Sequence, residues 1–295
     1  MFCAYFDTSL FDNLLKLNRL TAADLTELRS AIQTRRLAIV SNILNMQETI
    51  DALHSQSPEV VVPQLDLIAS LIDWSRFVKP SDWLLTDDIR HFAWCGDPSS
   101  PFLPESVVEV VHGAVMDIIR GRMPCADLDD VVRENSRQKS AFAAGLENDN
   151  AQTASMVEQL RKEGVFPEFA DIFAIAAQDF AYHIAAKVDR AEECKSRGLE
   201  QILSVRSVRM AVGLGLSVIY RRAFENKKLK RPLGTSRDLQ HLACAAAAAD
   251  AFVTHDHELT VLARRVPIRG FRILTLRELL DELRDGDPRA AQVSA

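Results

Sequence analysis

The chain has 295 residues, enough for one large domain or two small ones, because a single hydrophobic core stops growing near ~250 to 300 residues. Hydrophobic residues at 47%, charged residues at 26% and a net charge of −6 describe a packed soluble protein and exclude a disordered chain. The five cysteines, at 3, 95, 125, 194 and 244, are odd in number and form no Cys-x-x-Cys pair. Neither a disulfide framework nor a structural zinc site is expected, and a reducing cytoplasm is the expected setting. The first residues lack the basic region and long apolar run of a signal peptide, and the best apolar stretch, 210–220, is too short to cross a bilayer, so no membrane partner is expected.

Residues 2–6 form a short aromatic, apolar run ending in Asp7, Thr8 and Ser9, which reads as a buried strand feeding a helix over 10–17. Thr21 with Asp24 three residues on is a capping-box pattern and predicts a helix from 22 to about 34. Residues 37–40 are the second strand, and Met46, Ile50 and Leu53 repeat at helical spacing over 45–54, which puts Glu48 in the first turns after that strand. Strand, helices, strand, helix opens an α/β layer.

Beyond Pro58 helical periodicity dominates: 65–77 reads as one amphipathic helix, followed by helices over 86–94 and 105–121 and a polar helix from 127 towards 164. A long helical stretch then runs from 167 to about 224, with breaks near Gly198 and Gly213. Residues 95–104, rich in Pro, Gly and Ser, look like a hinge. The α/β pattern returns with a helix opened by Asp238 and running to 249, a strand over 251–254 and a short helix over 257–265. A strand over 271–276, a closing helix over 277–284 and a disordered tail, 285–295, complete the chain. The predicted architecture is α/β with a central parallel sheet, in which 1–79 and 231–284 form one domain interrupted by a mainly helical insertion, 80–230.

In an open parallel sheet the ligand site lies beyond the carboxyl ends of the strands. Asp7 and Asp256 follow two such ends, and Glu48 and Asp238 lie in helices beside the same edge, so the four converge on one pocket. Acids at that density repel one another and raise some pKa values, and oxygen-only donors of this kind suit Mg2+ or Mn2+, one or two ions per site, better than zinc. Such ions support phosphodiester hydrolysis. Asp7 and Asp256 would ligate directly, Glu48 and Asp238 directly or through water, with Thr8, Ser9 and Thr254 orienting ligands or phosphate.

Tyr5-Phe6-Asp7-Thr8-Ser9, Glu48, the segment from Asp238 through His241 and Cys244 to Ala245, and Phe252-Val253-Thr254-His255-Asp256 together resemble the signature positions of PIN-domain ribonucleases. The resemblance covers about residues 1–56 and 232–283. It implies a PIN-like three-layer α/β sandwich that binds Mg2+ or Mn2+ through three or four acids and hydrolyses single-stranded or structured RNA with a metal-activated water. The partners it implies are an RNA substrate, a protein inhibitor or antitoxin, and a second copy in a homodimer. Family domains are usually compact, and this chain departs from them in its helical middle.

Singly, each acid also has a plain structural reading: Asp7, Asp238 and Asp256 as helix caps and Glu48 as a solvated glutamate. Asp250 precedes the strand and so belongs to the opposite edge of the sheet, as a turn residue. His255-Asp256 invites comparison with His-Asp phosphohydrolases, which are all-helical, and here the pair follows a strand. A haloacid-dehalogenase-type phosphatase needs a second Asp where Ser9 stands. His241 shares a helix face with Asp238, as a substrate contact or a structural hydrogen bond. The 205–237 segment carries nine basic residues against Glu225 alone. Arg221, Arg222, Lys227, Lys228, Lys230, Arg231 and Arg237 are therefore candidates to hold a phosphate backbone, or else a solvated helix face. Tyr220 and Phe224 pack in the core or stack on bases. A noncatalytic scaffold that binds RNA or a protein is the alternative function.

Overall fold

The computed structural model describes residues 1–17, 21–52, 57–122, 162–163, 167–225 and 232–285. A five-stranded, all-parallel sheet forms its centre, built from β1 (Phe2–Phe6), β2 (Leu37–Asn42), β3 (Ile72–Val78), β4 (Ala251–Val253) and β5 (Arg272–Leu274) in the order β3-β2-β1-β4-β5. The central strand β1 pairs Phe2 with Leu37 on one side and Phe6 with Val253 on the other. The chain is thus an α/β protein, and the two sequence-distant α/β segments build a single sheet.

Alternation along the strands assigns side chains to opposite faces. Ala4, Phe6, Leu37, Ile39 and Val253 point into one apolar cluster. It is closed by α1 (Thr8–Leu15), α2 (Ala22–Gln33), α3 (Ile43–Asp51), α4 (Pro58–Leu71), α6 (Glu105–Ile119) and the C-terminal α13 (Leu276–Asp285). Tyr5, Val40, Val78 and Phe252 point into a second cluster. That cluster is closed by α5 (Ser81–Cys95), α10 (Arg206–Phe224), α11 (Pro232–Ala248) and α12 (His257–Arg264). A third cluster lies among α5, α7 (Phe169–Ala186), α8 (Ala191–Arg197), α9 (Leu199–Ile202) and α10. The middle of the chain is therefore continuous with the sheet domain, because α10 lends Met210 and Leu214 to the second cluster and Val208 and Val212 to the third. Among the described residues no helix is long and apolar enough to cross a membrane.

The capping box expected at Thr21 and Asp24 is present in both directions and starts α2 at Ala22. Three expectations need correction. Residues 65–77 are not one helix: α4 stops at Leu71, and the following residues become edge strand β3, with a register shift between Ile39 and Ser41 of β2. The apolar residues of that stretch satisfy both helical and alternating periods, and pairing with β2 together with Trp74 stacked on Phe77 at 5.2 Å decides for the strand. Gly213 does not break the helix. It lies inside α10 because a Cβ there would collide with Val266, so the missing side chain lets α10 approach the segment after α12.

The 95–104 segment is tied down rather than hinged. Lys79 N–H donates to Pro101 O at 2.9 Å, Leu103 N–H to Phe77 O at 2.8 Å, and the buried Asp88 accepts from Ser99 N–H at 2.9 Å and also from the Ser207 hydroxyl of α10. Apart from 162–163, the polar helix expected over 127–164 lies outside the described residues, as does the tail beyond Asp285, and α13 itself continues through Asp285.

Candidate functional site

At the carboxyl edge of the sheet, β1 and β4 end side by side, and the Asp7 N–H extends their pairing by bonding Val253 O at 3.0 Å. Asp7 occupies the N-cap position of α1 but makes no side-chain cap bond. Its carboxylate instead accepts from the Ser9 hydroxyl at 2.7 Å and from the Thr254 hydroxyl at 3.0 Å. The same Thr254 oxygen accepts the Asp256 N–H at 3.0 Å, so one buried hydroxyl links two of the expected acids. Asp256 does cap its helix, through one oxygen that accepts the Leu259 N–H at 2.9 Å. Asp250, by contrast, accepts from Cys3 N–H at the opposite edge.

Glu48 reaches the same edge because α3 is pinned there by two asparagines. Asn42 caps the helix, and Asn45 accepts from Ser41 Oγ at 2.8 Å while donating to Phe6 O at 3.1 Å and Thr8 Oγ1 at 3.0 Å. Fully buried, Asn45 thereby ties the ends of β1 and β2 to the helix whose next turn carries Glu48. The spacing Asn42-x-x-Asn45 after a strand is a readable capping signal, but the positioning role of Asn45 depends on Phe6 and Thr8, which are distant in sequence.

Asp238 does not open its helix, as α11 begins at Pro232 and places it in the second turn. A capping role is therefore unavailable to it. One turn further, His241 is 1% exposed and stands between the Tyr5 hydroxyl, 2.6 Å from Nδ1, and Glu48 Oε2, 3.2 Å from Nε2. The other Glu48 oxygen faces Arg237 at 3.5 Å, and Arg237 also pairs with Asp51 at 3.1 Å.

The electrostatics tie the four acids into one field. Burial, and then the negative charge of Asp7, push the Asp238 carboxyl up to about 7, with Glu48 and Asp256 adding to the rise and His241 opposing it. Burial also works against Glu48, but His241, hydrogen bonds from His241 and Thr8, and the Arg237 charge outweigh it and hold this carboxyl down at about 2. Burial disfavours the His241 imidazolium, yet Glu48, Asp7 and Asp238 together raise its pKa. Tyr5, buried beside these acids, is pushed well up and stays a phenol.

As the side chains stand, no group of three or more His, Cys, Asp or Glu among the described residues has the spacing to hold a metal ion. The donors nevertheless suit a hard divalent cation in kind: they are carboxylate and hydroxyl oxygens, and the charge around Asp238 is balanced only in part. The structure thus brings Asp7, Thr8, Ser9, Glu48, Asp238, Thr254 and Asp256 to one edge, and adds Tyr5, Asn45 and His241.

The basic residues are arranged differently. Arg221 pairs with Glu258 at 2.6 Å and Arg237 with Glu48 and Asp51, so both described candidates face acids of this chain. Lys227, Lys228, Lys230, Arg231 and the Arg222 side chain lie outside the described residues. Tyr220 packs between Phe169, Phe224 and the Arg265 guanidinium, in contacts that occupy its ring. Comparison of the chain with protein-family models, with curated proteins and with solved structures found no match.

Proposed function

We propose that the protein is a metal-dependent endoribonuclease with a PIN-like three-layer fold. The reading rests on the convergence of four acids from separate segments at the carboxyl edge of a parallel sheet, where burial and then the neighbouring negative charges raise Asp238 to about 7. Asp7, Asp238 and Asp256 would hold Mg2+ or Mn2+, with Glu48 completing the set directly or through water. When bound, the ion supplies Lewis-acid polarisation of a phosphoryl oxygen and neutralises charge at an RNA backbone.

The chain's own residues do the remaining work. Thr254 and Ser9 fix the Asp7 carboxylate by two hydroxyl bonds, and Asn45 fixes the backbone from which Asp7 and Thr8 project. Purified wild-type protein and Asp7→Asn, incubated with single-stranded and structured RNA in Mn2+ and in EDTA, test the reading on a gel. Cleavage that needs metal and is lost in the variant is the expected result; equal cleavage by both proteins would refute the site.

A noncatalytic RNA- or protein-binding scaffold is the second reading. It is favoured by one observation: His241 and Arg237 engage both Glu48 oxygens. Calorimetry separates the two, since a scaffold of this kind takes up no Mn2+.

A further inference from the structure

Behind the candidate site lies a chain of three side chains, two of them buried, that the nuclease reading does not by itself require. Tyr5 is fully buried and His241 is 1% exposed, so neither contacts solvent or an RNA strand directly. Their rings meet edge to face with centroids 5.7 Å apart, and the hydroxyl lies 2.6 Å from Nδ1 while Nε2 faces Glu48 at 3.2 Å. Each group comes from a different element: Tyr5 from β1, His241 from α11 and Glu48 from α3.

One proton of this chain is fixed by chemistry. A carboxylate only accepts, so the nitrogen facing Glu48 must carry the proton. The Tyr5 hydroxyl serves Nδ1 in either charge state of the ring, donating to it when the ring is neutral and accepting from it when the ring is charged; a phenylalanine does neither. We propose that Tyr5 and His241 are positioning residues, Tyr5 hydrogen-bonding Nδ1 so that the ring presents Nε2–H to Glu48 and holds that carboxylate turned towards the site. The arrangement matches the outer-sphere logic of metal sites, in which a buried partner fixes the orientation of a ligand and its loss typically costs ~10- to 100-fold in metal affinity. Arg237 faces the other Glu48 oxygen at 3.5 Å and Thr8 also bonds this carboxylate, so His241 acts together with them in setting its orientation.

The inference rests on the metal-site reading and is tested separately from it. Ring 15N spectra of metal-free protein, at a pH above the ring's own titration, should show His241 as the Nε2–H tautomer, with Tyr5→Phe moving the Nδ1 resonance as its hydrogen-bond partner is lost. Mn2+ calorimetry on the same proteins should show binding ~10-fold weaker in Tyr5→Phe and His241→Leu. His241→Gln, whose amide nitrogen can reach the Nε2 position, should stay within ~3-fold of wild type. That rescue distinguishes orientation from mere core packing. An Nδ1–H tautomer in wild type, or unaltered Mn2+ affinity in Tyr5→Phe and His241→Leu while Asp7→Asn loses binding, would overturn the proposal and leave the nuclease reading standing. Wild-type protein that binds no Mn2+ would remove both.

Discussion

Thr254 and Asp7 are neighbours through a single hydroxyl: Thr254 Oγ1 donates to the Asp7 carboxylate at 3.0 Å and accepts the Asp256 N–H at the same distance. Because Thr254 also anchors its own N–H on Leu274 O in β5, the two acids are registered to the sheet rather than to flexible loops. The acidic edge is thus held by the strands themselves, which is how a parallel sheet makes a site at its carboxyl end.

Replacement of Thr254 by Val keeps its shape and removes the shared hydroxyl. Asp7 then loses one of its two hydroxyl donors and the Asp256 N–H loses its acceptor, at a cost of about 1–3 kcal/mol for buried polar groups. Urea denaturation in EDTA measures it, and an unchanged midpoint would show that the bridge contributes nothing.

Asp238 sets a pH dependence of known sign in the metal-free protein. Its folded pKa of about 7 exceeds the ordinary value of 3.8, so the native state holds a proton that the unfolded chain has already released. The stabilising contribution is full below 3.8 and is lost as pH rises through about 7. Denaturation in EDTA between about pH 5 and about pH 8 should therefore show a fall in stability that is shallower in Asp238→Asn, where His241, also raised, still contributes to it. Parallel curves for the two proteins would count against an uncompensated acid at this position.

Arg237 has two competing roles, as a counter-ion for Glu48 and Asp51 or as a phosphate contact. The geometry places it with the acids at 3.5 and 3.1 Å. Arg237→Gln should lower the melting temperature, because it leaves two partly buried carboxylates short of a partner. The salt dependence of RNA binding should stay unchanged, whereas a lost phosphate contact would reduce its slope by about 0.7 for a single strand.

Gly213→Ala tests the close approach of α10 to Val266. Alanine favours a helix, yet here its Cβ would overlap the Val266 side chain, and overpacking of this kind costs about 1–3 kcal/mol. Val266→Ala in the same protein should recover part of that loss, and a double-mutant cycle measures how much. Additive effects of the two substitutions would rule out the clash as the cause.

Much of the architecture is written locally. The aromatic run before Asp7, the capping box at Thr21 and Asp24 and the short strand before Thr254 are set by side-chain alternation and by cap bonds spanning three residues. Such features are visible in a sequence because their partners are adjacent in it. The order of the four acids belongs to this class, since each is fixed by the strand or helix beside it. The start of α11 is not local in this sense: Pro232 opens the helix two turns before its apolar face begins, and the pattern alone makes Asp238 its first residue.

Tertiary structure decided what depends on pairs distant in sequence. The stretch after Leu71 is apolar at both periods, and only the edge of β2 makes it a strand. Gly213 reads as a helix break until Val266 stands against it. Arg237 reads as a free cation until Glu48 and Asp51 face it, and His241 has no visible partner until folding brings Tyr5 and Glu48 to its two ring nitrogens. Periodicity and capping are energies of neighbouring residues. The tautomer of a buried imidazole and the partner of an arginine are energies of a packed interior, determined only once the sheet has closed around them.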